Sequence, residues 1–86
     1  PTEAPAAGFW VQVLASSQRA SIKEARDKLV DLGFDRDHQR VVRTEVAGGN
    51  VLLKLRVGPF PNRESADRVL QRMRSAGYPD AWVVVP

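Results

Sequence analysis

The stretch LRVGPFPNRESA, residues 55–66, joins two different sequence patterns. Its first residues alternate between apolar and cationic, which is typical of a strand with one buried face. Gly58 and Pro59 interrupt the alternation, because glycine tolerates unusual dihedrals and proline lacks an amide donor for the ladder. Asn62 is a favourable N-cap for a helix. The stretch therefore predicts a strand that ends at Gly58-Pro59 and a helix that begins at Asn62.

Similar reasoning predicts four strands and two helices along the chain. In order, they are a strand over 9–14, a helix from a Ser21 capping box to Gly33, strands over 41–46 and 51–57 joined by a Gly48-Gly49-Asn50 hairpin, a helix from Asn62 to Gly77, and a strand over 81–85. Shifting the sequence by 44 positions against itself pairs Ser21 with Ser65 and Gly33 with Gly77. The chain therefore resembles two copies of one βαβ unit.

This order predicts an α+β fold of the βαββαβ, RNP/ferredoxin-like class. We expect a four-stranded antiparallel sheet with two helices on one face and an open binding face. Right-handed crossovers predict that the first and third strands lie side by side and parallel in its middle. Residues 1–8, PTEAPAAG, are predicted to be a flexible linker, and residues 9–86 the domain.

Composition limits the possible functions. Thirteen Lys and Arg against ten Asp and Glu give a net charge of +3, which favours an anionic partner or a solvated surface. The chain has no cysteine, which excludes thiolate chemistry and disulfides. No run is long and apolar enough to span a bilayer, so we expect no membrane contact by this domain. Because the chain starts at Pro1 rather than Met, we expect it to belong to a longer protein.

One sheet face is predicted to bind a ligand. If Leu55 and Val57 point towards the helices, the period of two places their neighbours on the opposite face. The same alternation in the first and last strands adds an amide and two indoles to that face. The candidate binding residues are Trp10, Gln12, Leu14, Leu52, Lys54, Arg56 and Trp82. Exposed apolar groups among polar ones are typical of interaction sites.

Catalytic arrangements are not evident in the sequence. His38 has no second imidazole or thiolate with which to complete a metal site. Asp35 and Asp37 lie in a predicted loop, outside any cleft that could raise the pKa of one carboxyl group. We therefore predict no catalytic residue, no metal and no cofactor, although the longer protein can carry a separate enzymatic domain.

Three short motifs occur in order along the chain: residues 9–13 read FWVQV, residues 53–60 read LKLRVGPF and residues 76–78 read AGY. Together they resemble the motifs of SPOR domains, the sporulation-related repeats of bacterial cell-envelope and division proteins. That family opens on aromatic-x-Val-Gln-x-Gly-Ser-Phe, and its third strand usually reads Tyr-Arg-Val-Arg-Val-Gly-Pro-Phe. The chain departs from the family at 14–16, where LAS replaces Gly-Ser-Phe, and at Leu53, which replaces the common Tyr.

The resemblance implies a noncatalytic, monomeric module that binds peptidoglycan glycan strands of alternating N-acetylglucosamine and N-acetylmuramic acid. It implies a preference for denuded strands, which lack stem peptides, and a location in the bacterial periplasm or cell envelope, enriched at the division septum. Lys54 or Arg56 would pair with the lactyl carboxylate of muramic acid, and Gln12 would bind N-acetyl amides or hydroxyls. Trp82 and Trp10 would lie against sugar faces. No nucleic acid is expected as a partner.

Two alternative functions share the predicted topology. An RRM-like module would bind single-stranded RNA, but it needs aromatic residues on both central strands, and Leu52, Lys54 and Arg56 occupy the third strand's open face. A hydrolase resembling acylphosphatase needs an anion-binding loop after the first strand. The segment LASSQRAS at 14–21 supplies Arg19 but no such loop.

Overall fold

The computed structural model describes residues 8–85 and shows one four-stranded sheet with two α-helices in the order βαββαβ. The predicted α+β fold class is confirmed. The elements are β1 (Phe9–Ser16), α1 (Arg19–Asp31), β2 (Gln39–Glu45), β3 (Val51–Phe60), α2 (Arg63–Ser75) and β4 (Trp82–Val84), with short 3-10 turns at Arg36–His38 and Ala47–Gly49. Residues 1–7 of the predicted linker, and Pro86, lie outside the described residues.

The strands lie in the order β2-β3-β1-β4, and every neighbouring pair is antiparallel. The prediction that β1 and β3 are central neighbours is confirmed, but the prediction that they run parallel was wrong. The α1 crossover leaves a one-strand gap between β1 and β2. The hairpin at Gly48 and Gly49, with φ values of 84° and 79°, reverses the chain into that gap. β3 therefore runs antiparallel to both neighbours.

The two βαβ units end their helices in the same way. Gly33 and Gly77 follow α1 and α2 with φ values of 102° and 108°. The amide of the next residue then returns to the last helical turn, at 2.9 Å from Phe34 to Leu29 and 3.0 Å from Tyr78 to the equivalent carbonyl oxygen. Both glycines are C-caps, as the sequence predicted, because a left-handed residue permits this return.

The two helices begin differently. The Oδ1 atom of Asn62 accepts a hydrogen bond of 2.8 Å from the Ser65 amide, which confirms the predicted N-cap of α2. The predicted capping box at Ser21 was wrong, since α1 begins earlier and its N-cap, Gln18, makes no side-chain cap bond. The hydroxyl of Ser16 instead accepts from the Gln18 amide at 3.0 Å and forms the turn out of β1.

Each helix also caps the other. The Nζ atom of Lys28 on α1 donates to the Ala76 carbonyl oxygen at 2.6 Å and lies 5.2 Å from the ring centroid of Tyr78. Arg72 is the equivalent residue of α2, and it donates to the Leu32 carbonyl oxygen at 2.9 Å. A cation near helix C-terminal carbonyls is favourable, so the exchange joins the two units.

A single core lies between the helices and the sheet. It consists of Val11, Val13, Ile22, Ala25, Leu29, Leu55, Val57, Ala66, Val69, Leu70, Met73, Ala81 and Val83. β3 does not end at Gly58-Pro59 as predicted, because it continues with a bulge to Phe60, which pairs with Phe9. The Gly58–Pro59 peptide bond is cis. Phe60 packs against the core.

Candidate binding face

The face of the sheet opposite the helices, here called the open face, carries one row of side chains that crosses all four strands. The register places Arg56 of β3 opposite both Arg40 of β2 and Gln12 of β1. Gln12 is in turn opposite Trp82 of β4. Residues directly opposite one another share a face, so Arg40, Arg56, Gln12 and Trp82 form a continuous row.

A hydrogen bond fixes the centre of this row. The Nε atom of Arg56 donates to Oε1 of Gln12 at 3.2 Å. Gln12 is only 8% exposed. Within the described residues, however, every buried polar atom of a side chain has a hydrogen-bond partner. The Nε2 atom of Gln12 donates to no described residue, so this amide group must reach the surface. The pair therefore offers a positioned guanidinium group beside free amide donors.

The two tryptophans have different environments. Trp82 is 50% exposed on the edge strand β4, and its indole is accessible to a ligand. Trp10 is only partly exposed, because its ring packs over Gly58 and the Arg40 guanidinium lies 4.9 Å from the ring centroid. Trp82 fits the predicted sugar platform better, whereas Trp10 packs between Gly58 and Arg40.

Leu14 does not lie on the open face, and that placement was wrong. A bulge between Gln12 and Leu14 adds one residue to β1 and reverses the alternation beyond it. Leu14 is consequently opposite the fully buried Leu55 and packs against the core. Ala15 takes the open-face position opposite Lys54.

The remaining β3 candidates lie on the open face. Lys54 is opposite Val42, and Leu52 is opposite Thr44. Both alternate with core-facing leucines, and both are partly exposed. Among residues 8–85, Lys54 has no hydrogen-bond or ion-pair partner, so its ammonium group can receive an anion.

Arg40 is an open-face residue that the sequence analysis missed. The predicted strand began at Val41, whereas β2 begins at Gln39. Gln39 is buried, and its Nε2 atom donates to the Phe34 carbonyl oxygen at 2.9 Å, which anchors the start of the strand. Val42 and Thr44 lay within the predicted strand. Extending that strand by two residues at its start, to Gln39, adds Arg40 to the same face through the period of two.

The open face continues at β4 into a cleft of about 470 Å³. Because β4 begins only at Trp82, the end of β1 has no strand partner there, and the loop after α2 forms the opposite wall. Gln12, Tyr78, Asp80 and Trp82 are among the lining residues. Burial raises the pKa of the Tyr78 hydroxyl, and the charge of Glu24 raises it further.

His38 lies elsewhere, on the 3-10 turn before β2. Its Nδ1 atom is 2.8 Å from Oδ1 of Asp35, and both side chains are exposed. This hydrogen bond lowers the pKa of Asp35. Within residues 8–85, no group of three or more His, Cys, Asp or Glu side chains could hold a metal ion.

The fold and the open face define a small α+β binding module, in which rigid strands present cations, an amide and an exposed indole. The model of the SPOR domain family matches residues 5–85, and the chain belongs to this family. SPOR domains bind peptidoglycan, are not catalytic, and occur in bacterial cell-envelope and division proteins. No curated protein and no solved structure matches the chain.

Two further findings concern the predicted partners. No helix within residues 8–85 is long and apolar enough to cross a membrane. The RNA-binding alternative has no support, since the family is a peptidoglycan-binding one and β3 presents Leu52, Lys54 and Arg56 where stacking aromatics would be needed.

Proposed function

We propose that the open face binds peptidoglycan glycan strands and prefers strands without stem peptides. The observation that carries this proposal is the row of Arg40, Arg56, Gln12 and Trp82, which places cations, amide donors and an exposed indole in line on rigid strands. These groups match the carboxylates, the amides and hydroxyls, and the apolar ring faces of the glycan respectively.

The preference for denuded strands follows from charge. In intact peptidoglycan the lactyl group of N-acetylmuramic acid is joined to the stem peptide through an uncharged amide. Removal of the peptide leaves a carboxylate at that position. Arg56 and Lys54 can then form charge-assisted hydrogen bonds, which are about twice as strong as neutral ones.

The proposal extends to the cellular role. Amidases that remove stem peptides act where daughter cells separate, so a module with this preference would carry its parent protein to the division septum, in the periplasm. We propose that residues 9–86 form the module, that residues 1–8 are the flexible linker, and that the module acts as a monomer. All four residues of the row belong to one chain, so a monomer presents the complete row.

Cosedimentation with purified sacculi, with and without amidase treatment, tests the proposal. We expect wild-type protein to sediment with treated sacculi in preference to untreated sacculi. Lys54→Ala and Trp82→Ala should each reduce the apparent affinity by about tenfold, from a lost charged hydrogen bond or a lost platform. Lys23→Ala removes the same charge from the exposed surface of α1 and should bind as wild type does.

The result is interpretable only if each variant is folded, which circular dichroism checks. Equal sedimentation of folded Trp82→Ala, Lys54→Ala and wild type with treated sacculi would show that the open face is not the binding site. Equal sedimentation of wild type with treated and untreated sacculi would remove the preference for denuded strands.

A further inference from the structure

We infer that the cleft at the β4 end of the open face is a subsite for an uncharged N-acetylhexosamine, where the charge of Asp80 disfavours N-acetylmuramic acid. This inference rests on the proposed glycan-binding function. It adds the register of the glycan, because it states which sugar lies in the cleft and which lies over the row.

The cleft holds the groups that recognise an uncharged sugar. Gln12 lines it and has free amide donors, while Trp82 contributes a half-exposed indole. Asp80 also lines it, and among residues 8–85 its carboxylate has no hydrogen-bond or ion-pair partner. Donors, a bidentate acceptor and an apolar platform together fit the hydroxyls, the acetamido group and the ring face of a pyranose.

The sign of the charge changes between the cleft and the row. Asp80 is the charged residue among those that line the cleft. The nearby Arg74 donates to the Ala81 carbonyl oxygen at 3.3 Å and does not line the cleft. Arg56 lies beyond Gln12 in the row. A carboxylate-bearing sugar is therefore repelled from the cleft and attracted to the row.

The spacing suits neighbouring sugars. Neighbouring strands are about 5 Å apart, close to the advance of one pyranose along a linked strand, so a sugar beside Trp82 has its neighbour above Gln12. The Nε atom of Arg56 lies 3.2 Å from Oε1 of Gln12, so the guanidinium group faces that same neighbouring sugar. Because the two sugars alternate along peptidoglycan, N-acetylglucosamine in the cleft brings N-acetylmuramic acid to the guanidinium group. The opposite register places the lactyl carboxylate beside Asp80.

Nuclear magnetic resonance can read this register directly. The probe is a denuded tetrasaccharide of alternating N-acetylglucosamine and N-acetylmuramic acid, whose lactyl methyl groups mark the muramic acid residues. In the wild type we expect nuclear Overhauser effects from the lactyl methyls to Arg56, and signals at the Trp82 indole at most about one fifth as strong. The register that places the lactyl carboxylate beside Asp80 is disfavoured roughly fivefold, because two carboxylates about 4 Å apart in water repel one another.

Asp80→Asn keeps the shape of the side chain and removes its charge. We expect lactyl signals at Trp82 to rise to about the same strength as at Arg56, since both registers become accessible. Asp37→Asn removes an equal charge from the exposed turn before β2 and should reproduce the wild type. Uncharged chitotetraose should contact Trp82 in the wild type and in Asp80→Asn alike.

The outcomes separate the inference from the function on which it rests. Strong lactyl signals at Trp82 in the wild type, or no change in Asp80→Asn, would overturn the subsite while glycan binding stands. Failure of chitotetraose to contact Trp82 would also overturn the subsite. Failure of the wild type to bind either saccharide would overturn the proposed function, and the subsite with it.

Discussion

Substitution of Gly58 by Ala tests how the open face is built. A Cβ atom at this position would lie 2.9 Å from Cδ2 of Trp10 and 3.1 Å from the Phe9 carbonyl oxygen, and the φ value is 155°. Overpacking of this kind costs about 1–3 kcal/mol. A backbone conformation that an L side chain rarely adopts adds about 1–2 kcal/mol. We therefore expect the free energy of unfolding to fall by about 2–5 kcal/mol, out of roughly 4–13 kcal/mol for a domain of this length.

Two further variants separate the clash from the backbone strain. Gly33 has a φ value of 102°, and a Cβ atom there would meet no other atom within 4 Å, so Gly33→Ala should lose only the strain, about 1–2 kcal/mol. In a double-mutant cycle with Trp10→Ala, Gly58→Ala should cost about 1–3 kcal/mol less than in the wild type, since the large ring is gone. Urea unfolding followed by circular dichroism measures every one of these proteins without relying on Trp10 fluorescence.

If Gly58→Ala and Gly33→Ala lose the same free energy of unfolding, or if the cycle shows no coupling to Trp10, the ring does not lie against Gly58. Glycan affinity gives an independent reading. Displacement of Trp10 also displaces Arg40, which stacks on it, so Gly58→Ala should weaken binding even where the protein remains folded.

Three further outcomes are expected. Asn62→Ala should lower the free energy of unfolding by about 1 kcal/mol, because it removes the N-cap of α2. Gln18→Ala at the start of α1 should leave it unchanged, because Gln18 makes no side-chain cap bond. Equal urea midpoints for the two variants would contradict this. Arg72→Ala should cost about 0.5–1.5 kcal/mol in the same assay through loss of its bond to Leu32, and no loss would contradict the exchange between helices. Tyr78 is the single tyrosine, and its phenolate absorbance should appear with a pKa above the ordinary 10.0, because burial opposes ionisation. The contribution of the neutral Tyr78 hydroxyl to the free energy of unfolding is present below pH 10 and lost as the pH rises through the folded pKa. A midpoint of the absorbance titration at or below pH 10 would contradict the burial of Tyr78.

Local sequence signals predicted much of this fold. Runs of apolar and β-branched residues located the strands, and the apolar stripe and Asn62 located α2. The glycines at 33 and 77 predicted both C-caps, because no other residue adopts their φ values so readily. The shift of 44 positions indicated that these features belong to one repeated unit, and the structure shows the helices at equivalent positions. Each of these signals depends on neighbours within a few residues.

Features that depend on distant partners were not predictable in this way. The bulge that turns Leu14 into the core is defined by its pairing with β3, and nothing within β1 marks it. The same holds for Gly58, whose lack of a side chain matters because Trp10 packs there. The direction of β3 depends on the gap left by the first crossover. Tertiary pairing therefore decided which residues reach the open face.

The centre of the open face shows why the two units had to differ in sequence. Gln12 and Arg56 are 44 positions apart, hence equivalent in the repeat, and they are also opposite one another in the sheet. Arg56 already has Arg40 opposite it on β2, so an arginine in place of Gln12 would put three like charges in line across neighbouring strands, which is destabilising. A glutamine in one unit and an arginine in the other instead form a hydrogen bond that orients both groups.

This difference gives the face a direction. Cations lie on β2 and β3, whereas the exposed indole of Trp82 and the carboxylate of Asp80 lie at the β4 end. A symmetric face would bind a chain equally well in either direction. Because a glycan strand has chemically different ends and alternates charged with uncharged sugars, an asymmetric row can select one orientation of it. The divergence between Gln12 and Arg56 thus orients the centre of the face, while Trp82 and Asp80 at one end and the cations of β2 and β3 at the other give the face its polarity.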